Sequence, residues 1–211
     1  QFLQGAVSGL PKTVLNEVLY LVAIATIGDI FPLIEENRTL TKYGMAMINA
    51  RKRPGLKKLM EAAGLTADKI TSENIAYIIV PHLNAAGRML DAKIGVELLI
   101  SKNEKEIADG VGVLIQNNKE RKRIQEEAFQ ACKKIIAEEM EESLFYVIAP
   151  KEIHEGIAGI VAGKIKDEYG RPAIIVTATS GDEYLKGTGR SINGLNLYDI
   201  LKKNEDLFLK F

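Results

Sequence analysis

From Ile107 to Leu114, and again from Ile124 to Met140, apolar residues recur at steps of three to five positions, which is the spacing of an α-helix. Ser101 lies three residues before Glu104, an arrangement typical of a capping box at a helix start. The pattern predicts one long helix over residues 102–142, which would span roughly 60 Å at about 1.5 Å per residue. Its apolar positions are Ile107, Val111, Leu114, Ile124, Ala128, Cys132, Ile135 and Met140.

The middle of this helix, residues 116–123, is a run of amide and charged side chains with no apolar residue to bury. A helix that is polar all round usually crosses solvent between two packed bodies. The alternative is an ordinary antiparallel helix pair broken at Gly110 and Gly112. We interpret residues 102–142 as a connecting helix.

The residues before this helix have a mainly helical pattern. Asn37 to Asn49 and Pro54 to Ala63 carry spaced apolar residues, and Gly64 is a typical helix stop. The run from Leu19 to Leu33 suits a buried strand or a buried helix, and periodicity does not distinguish the two.

After the helix the pattern changes to short apolar runs rich in β-branched residues. Leu144 to Ala149 and Ala173 to Thr179 are predicted strands, and Gly156 to Tyr169 between them is a predicted helix. Strand, helix and strand in this order predict a parallel crossover and an α/β fold class. A further strand over Tyr184–Ile192 and a helix over Leu197–Lys203 complete this region.

Composition excludes some classes of protein. The 211 residues include 28 basic and 28 acidic side chains, so the surface is not generally basic, and a polyanion would have to bind to a local cluster of basic side chains. The single cysteine allows no internal disulfide and no CxxC zinc pair, which is typical of a reducing compartment. The longest apolar run, Leu19 to Ile27, is about half of what a membrane span needs. We expect a cytoplasmic protein that does not enter a membrane.

Asp29 is a lone carboxylate in an otherwise apolar segment. Burying an unpaired carboxylate costs several kcal/mol, so it needs a cation or several backbone amides as partners. A helix cap or turn and a metal ligand both satisfy that need.

Asn84 and Arg88 are four residues apart and separated only by small residues, so both can face one side of a helix or the lip of a loop. Arginine offers a forked donor to phosphate or carboxylate. The alternative is a helix end at which Arg88 pairs with Asp91 or Glu97.

Residues 186–191 follow a predicted strand and place Gly187 and Gly189 on either side of a threonine, ahead of Arg190 and Ser191. Such a segment can form an anion-accepting backbone pocket, or it can be the glycine-containing end of a strand or hairpin. It is neither a Walker loop nor a dinucleotide fingerprint.

His154 directly precedes a predicted helix, whose first amides favour an anion. The alternative is an ordinary turn residue. No second histidine follows four residues later, and His82 is the only other one, so imidazole-bound metal is poorly supported. Cys132 lies on the apolar side of the long helix and is interpreted as a packing residue.

Five segments in this order resemble the RecJ family of single-stranded-DNA-specific exonucleases, within the DHH phosphoesterase superfamily. The likeness extends over nearly the whole chain from about Leu19. The segments are Thr26–Leu33 followed by Glu36–Arg38, then Arg53–Leu56, Asn84–Arg88, His154–Gly156 with Gly159–Ala162, and Lys186–Ile192.

The resemblance implies an organisation and a set of roles. Residues 1–101 would be the mostly helical end of a DHH catalytic domain, 102–142 the connecting helix, and 143–211 a small, truncated α/β DHH-associated domain that binds nucleic acid. The Leu19 to Leu33 run then becomes a helix with Asp29 at its end. The implied catalytic residues are Asp29, also a metal ligand, with Asn84 and Arg88 in the active-site cleft, and the implied substrate-binding residues are His154, Gly187, Gly189, Arg190 and Ser191.

The resemblance also implies an activity. Family members hydrolyse phosphodiesters of single-stranded DNA from 5′ to 3′ with two manganese or magnesium ions, in DNA repair and recombination, and a single-strand-binding protein is an expected partner. The family's Asp-x-Asp, Asp-His-His and Gly-Gly-His motifs are absent here. We therefore expect a fragment that binds no ions and has no nuclease activity by itself. A DHH-family oligoribonuclease and a catalytically inactive replication scaffold are the alternative functions.

Overall fold

The computed structural model describes residues 12–89, 91–151, 153–178 and 184–209, apart from the side chains of residues 12–16, 88 and 89. The chain divides into two units, residues 1–119 and residues 120–211. The described elements are α1 (Lys12–Gly28), α2 (Glu35–Asn49), α3 (Pro54–Ala62), α4 (Ser72–Asn74), a π-helical turn (Ile75–Ile79), α5 (Val80–Met89), α6 (Lys93–Ile100), α7 (Glu104–Glu139), β1 (Tyr146–Ile148), α8 (Glu155–Tyr169), β2 (Ala173–Ala178), β3 (Leu185–Arg190), α9 (Leu197–Lys202) and a 3-10 turn (Glu205–Leu207).

The first unit is helical, and its core lies where α1 packs against α2. Gly44 of α2 lies directly against the Leu19 carbonyl of α1, a contact that leaves no room for a side chain. The buried Tyr20 hydroxyl donates a hydrogen bond to the Leu99 carbonyl at 2.9 Å, which ties α1 to the end of α6. Burial raises the pKa of Tyr20, although the nearby Arg53 guanidinium lowers it.

The ambiguous run at Leu19 is a helix, α1, as the family resemblance implies. It ends in a Schellman arrangement, because the Phe31 amide donates to the Thr26 carbonyl at 3.0 Å and the Ile30 amide to Ile27 at 3.2 Å. Ile30 takes the left-handed conformation with φ +56°, a position at which glycine is usual. The apolar helix therefore stops directly after Asp29.

The second unit contains a three-stranded mixed sheet in the order β1-β2-β3. β1 pairs with β2 in parallel and β2 pairs with β3 in antiparallel orientation. α8 connects the two parallel strands and ends at Gly170, which has φ +63°. The predicted parallel crossover and the α/β fold class are confirmed.

One face of this sheet is covered by α8 and the second half of α7. Ile175 of β2, Val161 of α8 and Cys132 of α7 belong to one fully buried cluster. Burial raises the pKa of the Cys132 thiol to about 11, consistent with its predicted role in packing.

The long helix α7 differs from its prediction at its start. Asn103 caps it, since its Oδ1 accepts the Lys105 amide at 2.9 Å. The predicted Ser101 capping box is wrong: the Ser101 hydroxyl instead accepts the Asn103 amide at 3.0 Å and donates to Glu106 at 2.7 Å. A short polar side chain can bond an amide two residues ahead, and this turn delays the helix start.

The polar stretch 116–123 is not solvated all round, contrary to the prediction. Asn118 is only 3% exposed and contacts His82 of α5. The division between the two units falls at Lys119 and Glu120, within this stretch. The bounds 1–101, 102–142 and 143–211 stay a prediction. Among the described residues, no helix is both long and apolar enough to cross a membrane.

Candidate functional site

Three polar side chains of β3 share one face of the sheet. Ala173 and Ile175 of β2 are fully buried in the core beneath α8. Their partners across the antiparallel ladder are Arg190 and Thr188. Because paired residues on neighbouring strands point to the same face, Lys186, Thr188 and Arg190 form a row on the α8 side. We call these three residues the β3 row.

Arg190 lies directly against Gly159 of α8. A Cβ atom built on Gly159 would be 3.1 Å from Arg190 Nη2 and 3.2 Å from Thr188 Cγ2. The glycine therefore leaves the space in which the guanidinium rests beside the N-terminal half of α8. The arginine side chain itself favours an anion at this place.

Arg190 is an exposed cation without an acidic neighbour among the described side chains. Its Nη1 donates to the Gly189 carbonyl at 2.9 Å. Lys186 differs, because its Nζ is 3.3 Å from Glu155 Oε2 at the start of α8. The remaining guanidinium donors of Arg190 can bind a phosphate in forked geometry.

Gly187 and Gly189 lie in a glycine-containing strand, which is one of the two alternatives that the sequence left open. Both lie in the regular strand β3, with their missing side chains on the face opposite to the β3 row. A Cβ on Gly187 would be 3.2 Å from Ile174 Cγ2, and one on Gly189 would be 2.5 Å from Leu197 Cδ2. The glycines thus make room for packing by Ile174 and α9. Their direct role in substrate binding stays a prediction that this geometry does not favour.

A shallow surface depression begins where β3 ends, and it is lined by Arg190, Ser191, Asn196 and Tyr198 among others. The Ser191 hydroxyl donates to the Leu195 carbonyl at 2.7 Å, which closes the turn between β3 and α9. Asn196 caps α9 by accepting the Tyr198 amide at 3.1 Å. The Tyr198 side chain is exposed. Arg190 and Tyr198 therefore both contribute to the lining of one depression.

His154 is the N-cap of α8. Its Nδ1 accepts the Gly156 amide at 3.1 Å, which satisfies one of the amides at the helix start. This contact is the turn role that the sequence left open. Its role in binding substrate stays a prediction.

In the first unit, Asp29 is exposed at the end of α1, and its backbone amide donates to the Ala25 carbonyl at 2.9 Å. The end of α1 packs on the start of α5, because a Cβ on Gly28 would be 3.1 Å from Val80 Cγ2. Asn84 is exposed one helical turn after Val80, on the same side of α5. Asp29 thus follows the end of α1 that contacts the start of α5, and Asn84 lies one turn further along α5.

Position 88 continues this side of α5 by another turn, but the Arg88 side chain lies outside the described residues. The spacing of Asn84 and Arg88 on one helix side agrees with the prediction. The catalytic roles assigned to both residues stay predictions.

The described residues do not complete a metal site. No three His, Cys, Asp or Glu side chains among them come together in a way that could hold an ion. Hard divalent cations take about six oxygen ligands, and Asp29 supplies one carboxylate. Further ligands would have to come from residues other than those described, and the metal-ligand role of Asp29 stays a prediction.

The sequence motifs did not single out Tyr198, and they included Gly159 and Thr188 without assigning them a place beside Arg190. The alternation of Lys186, Thr188 and Arg190 along a predicted strand could have identified the row. The approach of Gly159 to Arg190 had no sequence signal, because it depends on how α8 lies on the sheet.

Residues 133–207 match the model of the DHHA1 domain, which defines the class of the second unit. Over 201 residues the chain is 40% identical to the single-stranded-DNA-specific exonuclease RecJ of Escherichia coli (strain K12), covering 92% of this chain and 34% of that protein. The solved structure of Thermus thermophilus RecJ in complex with Mg²⁺ has a TM-score of 0.81 and 33% identity, covering 96% of this chain and 30% of that one. Its Mn²⁺ complex has the same score and identity.

The chain thus corresponds to a region of RecJ-type proteins that includes the DHHA1 domain, and the family resemblance found in the sequence is confirmed. It spans about a third of the length of the curated relatives that it matches.

Proposed function

We propose that this chain is part of a single-stranded-DNA-specific exonuclease that hydrolyses phosphodiesters from the 5′ end with two divalent ions. In this proposal the second unit holds the DNA strand, and the first unit contributes Asp29, Asn84 and Arg88 to the catalytic site. The observation that carries the proposal is the exposed Arg190 guanidinium, held beside the N-terminal half of α8 by the absence of a side chain at Gly159.

The surface at Arg190, beside Gly159, has the charge and the space to bind one phosphate of a single strand. Arg190 favours an anion, and Thr188 adds a hydroxyl donor in the same row. The exposed Tyr198 in the adjoining depression is the type of side chain on which an unpaired base stacks. Phosphate contact together with base stacking favours a single strand over a duplex, whose bases are already stacked.

The proposal includes the cofactor and the setting. The RecJ structures similar to this chain were solved with Mg²⁺ or Mn²⁺, which supports divalent ions for the complete protein, with manganese the proposed one. Two such ions would activate a water and stabilise charge on the leaving oxygen. Asp29 would be one of several ligands. We place the activity in cytoplasmic DNA repair and recombination, with a single-strand-binding protein as a partner.

The activity is tested with the complete protein that contains this chain, a single strand labelled at its 5′ end, and Mn²⁺. We expect early release of the labelled mononucleotide from the single strand and little release from the duplex. Persistence of the labelled single strand would contradict the proposal.

The binding role of Arg190 is tested separately by fluorescence anisotropy, with hydrolysis blocked by chelation. Arg190→Ala should weaken single-strand binding about tenfold to a hundredfold, as expected for a charged hydrogen bond worth roughly 1.5–3 kcal/mol. The loss should be similar for all base sequences, and the slope of log affinity against log salt should become shallower by about 0.7.

Arg123→Ala is the matched control, because it removes the same charge from a guanidinium that already pairs with Glu120 and Glu127. Its affinity should stay within about twofold of wild type, as for a solvated surface ion pair. Equal losses for Arg123→Ala and Arg190→Ala would mean that only net charge matters and would refute the phosphate contact.

A further inference from the structure

His82 is a buried polar residue on α5, two positions before Asn84. Its ring Nδ1 lies 2.6 Å from the Ile78 carbonyl oxygen, and its Nε2 lies 3.0 Å from the side-chain nitrogen of Asn118 on α7. Both His82 and Asn118 are less than a tenth exposed. The pair is therefore a buried polar contact between α5, which carries Asn84 and Arg88, and the long helix α7.

The chemistry of the three groups assigns the ring proton. A carbonyl oxygen only accepts hydrogen bonds, so Nδ1 must be the protonated nitrogen. Nε2 of the neutral ring is then an acceptor, and the Asn118 amide nitrogen is its donor. In these two contacts His82 therefore donates from Nδ1 to its own helix and accepts at Nε2 from α7.

The Ile78 carbonyl belongs to an irregular part of the backbone. Residues Ile75–Ile79 form a π-helical turn, in which the Val80 amide reaches back five residues to the Ile75 carbonyl. Such turns are rare and often lie next to functional sites. The extra residue rotates everything after it about the helix axis, so the direction in which Asn84 points depends on how this turn is held.

We propose that His82 is a positioning residue: together with Asn118 it fixes the rotation of α5, and thereby places Asn84 and Arg88 for the reaction. Neither His82 nor Asn118 needs to touch the substrate, because the effect is transmitted through the rigid helix. The inference rests on the proposed exonuclease function of the same site. The proposed role also explains why Asn118 is buried although it belongs to the polar stretch 116–123.

Two substitutions at position 82 separate the two hydrogen bonds. The amide nitrogen of His82→Asn can take the place of Nδ1 and bond Ile78, but the side chain is too short to reach Asn118. The amide oxygen of His82→Gln can take the place of Nε2 and accept from Asn118. In the complete protein, His82→Asn should lower kcat for single-strand hydrolysis by about tenfold to a hundredfold, the effect of a displacement near 1 Å, with KM within about twofold.

His82→Gln should restore kcat to within about threefold of wild type. Asn118→Leu should give the same loss as His82→Asn, and the double variant should lose no more than the larger single effect, because the two residues act as one unit. Lys119→Ala, an exposed neighbour of Asn118, is the control and should leave kcat unchanged. Equal kcat for His82→Asn and wild type, additive losses in the double variant, or a rise in KM with unchanged kcat would overturn the proposal.

The tautomer provides a test that is independent of activity. The sequence contains two histidines, so ¹⁵N NMR of the 211-residue chain gives two imidazole patterns. We expect His82 as the Nδ1–H form and His154, whose Nδ1 accepts from Gly156, as the Nε2–H form. An Nε2–H tautomer at His82 would overturn the positioning role. If the wild-type complete protein fails to hydrolyse single strands, the proposed function fails, whereas wild-type hydrolysis with a normal His82→Asn variant overturns only this inference.

Discussion

The guanidinium of Arg190 occupies the space that a side chain at position 159 would need, since a Cβ there would lie 3.1 Å from Nη2. One turn further along α8, Gly163 has no described atom within 4 Å of such a Cβ. Two glycines of one helix therefore form a matched pair. At Gly159 an added Cβ would require the neighbouring side chains to shift by a few tenths of an ångström, whereas at Gly163 it would meet open space.

Gly159→Ala should displace Arg190 and weaken single-strand binding by about threefold to tenfold, less than the loss of a whole charged hydrogen bond. Gly163→Ala should leave binding unchanged and stabilise α8 by roughly 0.5–1 kcal/mol, because alanine has the higher helix propensity. Anisotropy and urea unfolding measure the two effects. Equal affinities for the two variants would show that the contact between Gly159 and Arg190 does not position the guanidinium for DNA.

Asp29→Ala in the complete protein should lower the hydrolysis rate by about a thousandfold or more, since a lost metal ligand removes several kcal/mol of charge stabilisation. The free energy of unfolding should change by under about 0.5 kcal/mol, because this carboxylate is exposed. Asp109→Ala, another exposed aspartate, is the control for rate and stability. A normal hydrolysis rate for Asp29→Ala would contradict the metal-ligand role and leave Asp29 only a structural role at the end of α1.

Ile30→Gly should stabilise the first unit by about 0.5–1 kcal/mol. A β-branched residue at φ +56° carries a steric cost that glycine lacks, and the Ile30 side chain is 89% exposed, so little packing is lost. Ile30→Ala is the control, because alanine keeps a Cβ in the same conformation. Urea unfolding compares the variants, and a gain for Ile30→Ala equal to that for Ile30→Gly would show that backbone strain is not the cause.

The Cys132 thiol should resist modification in the folded protein. Burial raises its pKa from 9.0 to about 11, so only about one thiol in a thousand is ionised at pH 8, and the thiolate is the reactive form. Labelling by a disulfide reagent should therefore follow the unfolding rate. Because the folded pKa is the higher one, the stabilisation from the neutral thiol is complete below pH 9 and is lost as pH rises toward 11. Immediate labelling under native conditions at pH 8 would contradict this.

Local patterns in the sequence predicted most of the elements around the site. The three-to-five spacing over Ile107 to Met140 identified α7, and the strand, helix and strand pattern identified β1, α8 and β2 with their parallel pairing. These predictions succeed because side-chain periodicity follows from backbone geometry alone. The helix start failed because Ser101 and Asn103 are both competent caps, and their local hydrogen bonds decide between them.

Residue type and spacing nominated Asn84 and Arg190 for the candidate site, and their roles stay predictions. The positions of their neighbours could not be predicted in this way. For Gly187 and Gly189 the sequence left open an anion-accepting pocket and a strand end, and in the structure they lie in a strand and make room for Ile174 and Leu197. Whether a glycine binds a ligand or makes room for packing depends on which atoms of other helices and strands lie next to it.

Regular spacing along the chain was enough to predict the long helix, α8 and the parallel crossover, and consecutive motif residues were enough to indicate the family. The helix that ends before Asp29 followed from that resemblance and not from periodicity. Only the tertiary structure decided that Arg190 rests on Gly159 and that His82 meets Asn118. The members of these pairs are 31 and 36 residues apart in sequence. No periodicity links positions at such separations, because their contact is set by how whole helices and strands pack, which minimises buried voids and unpaired polar groups.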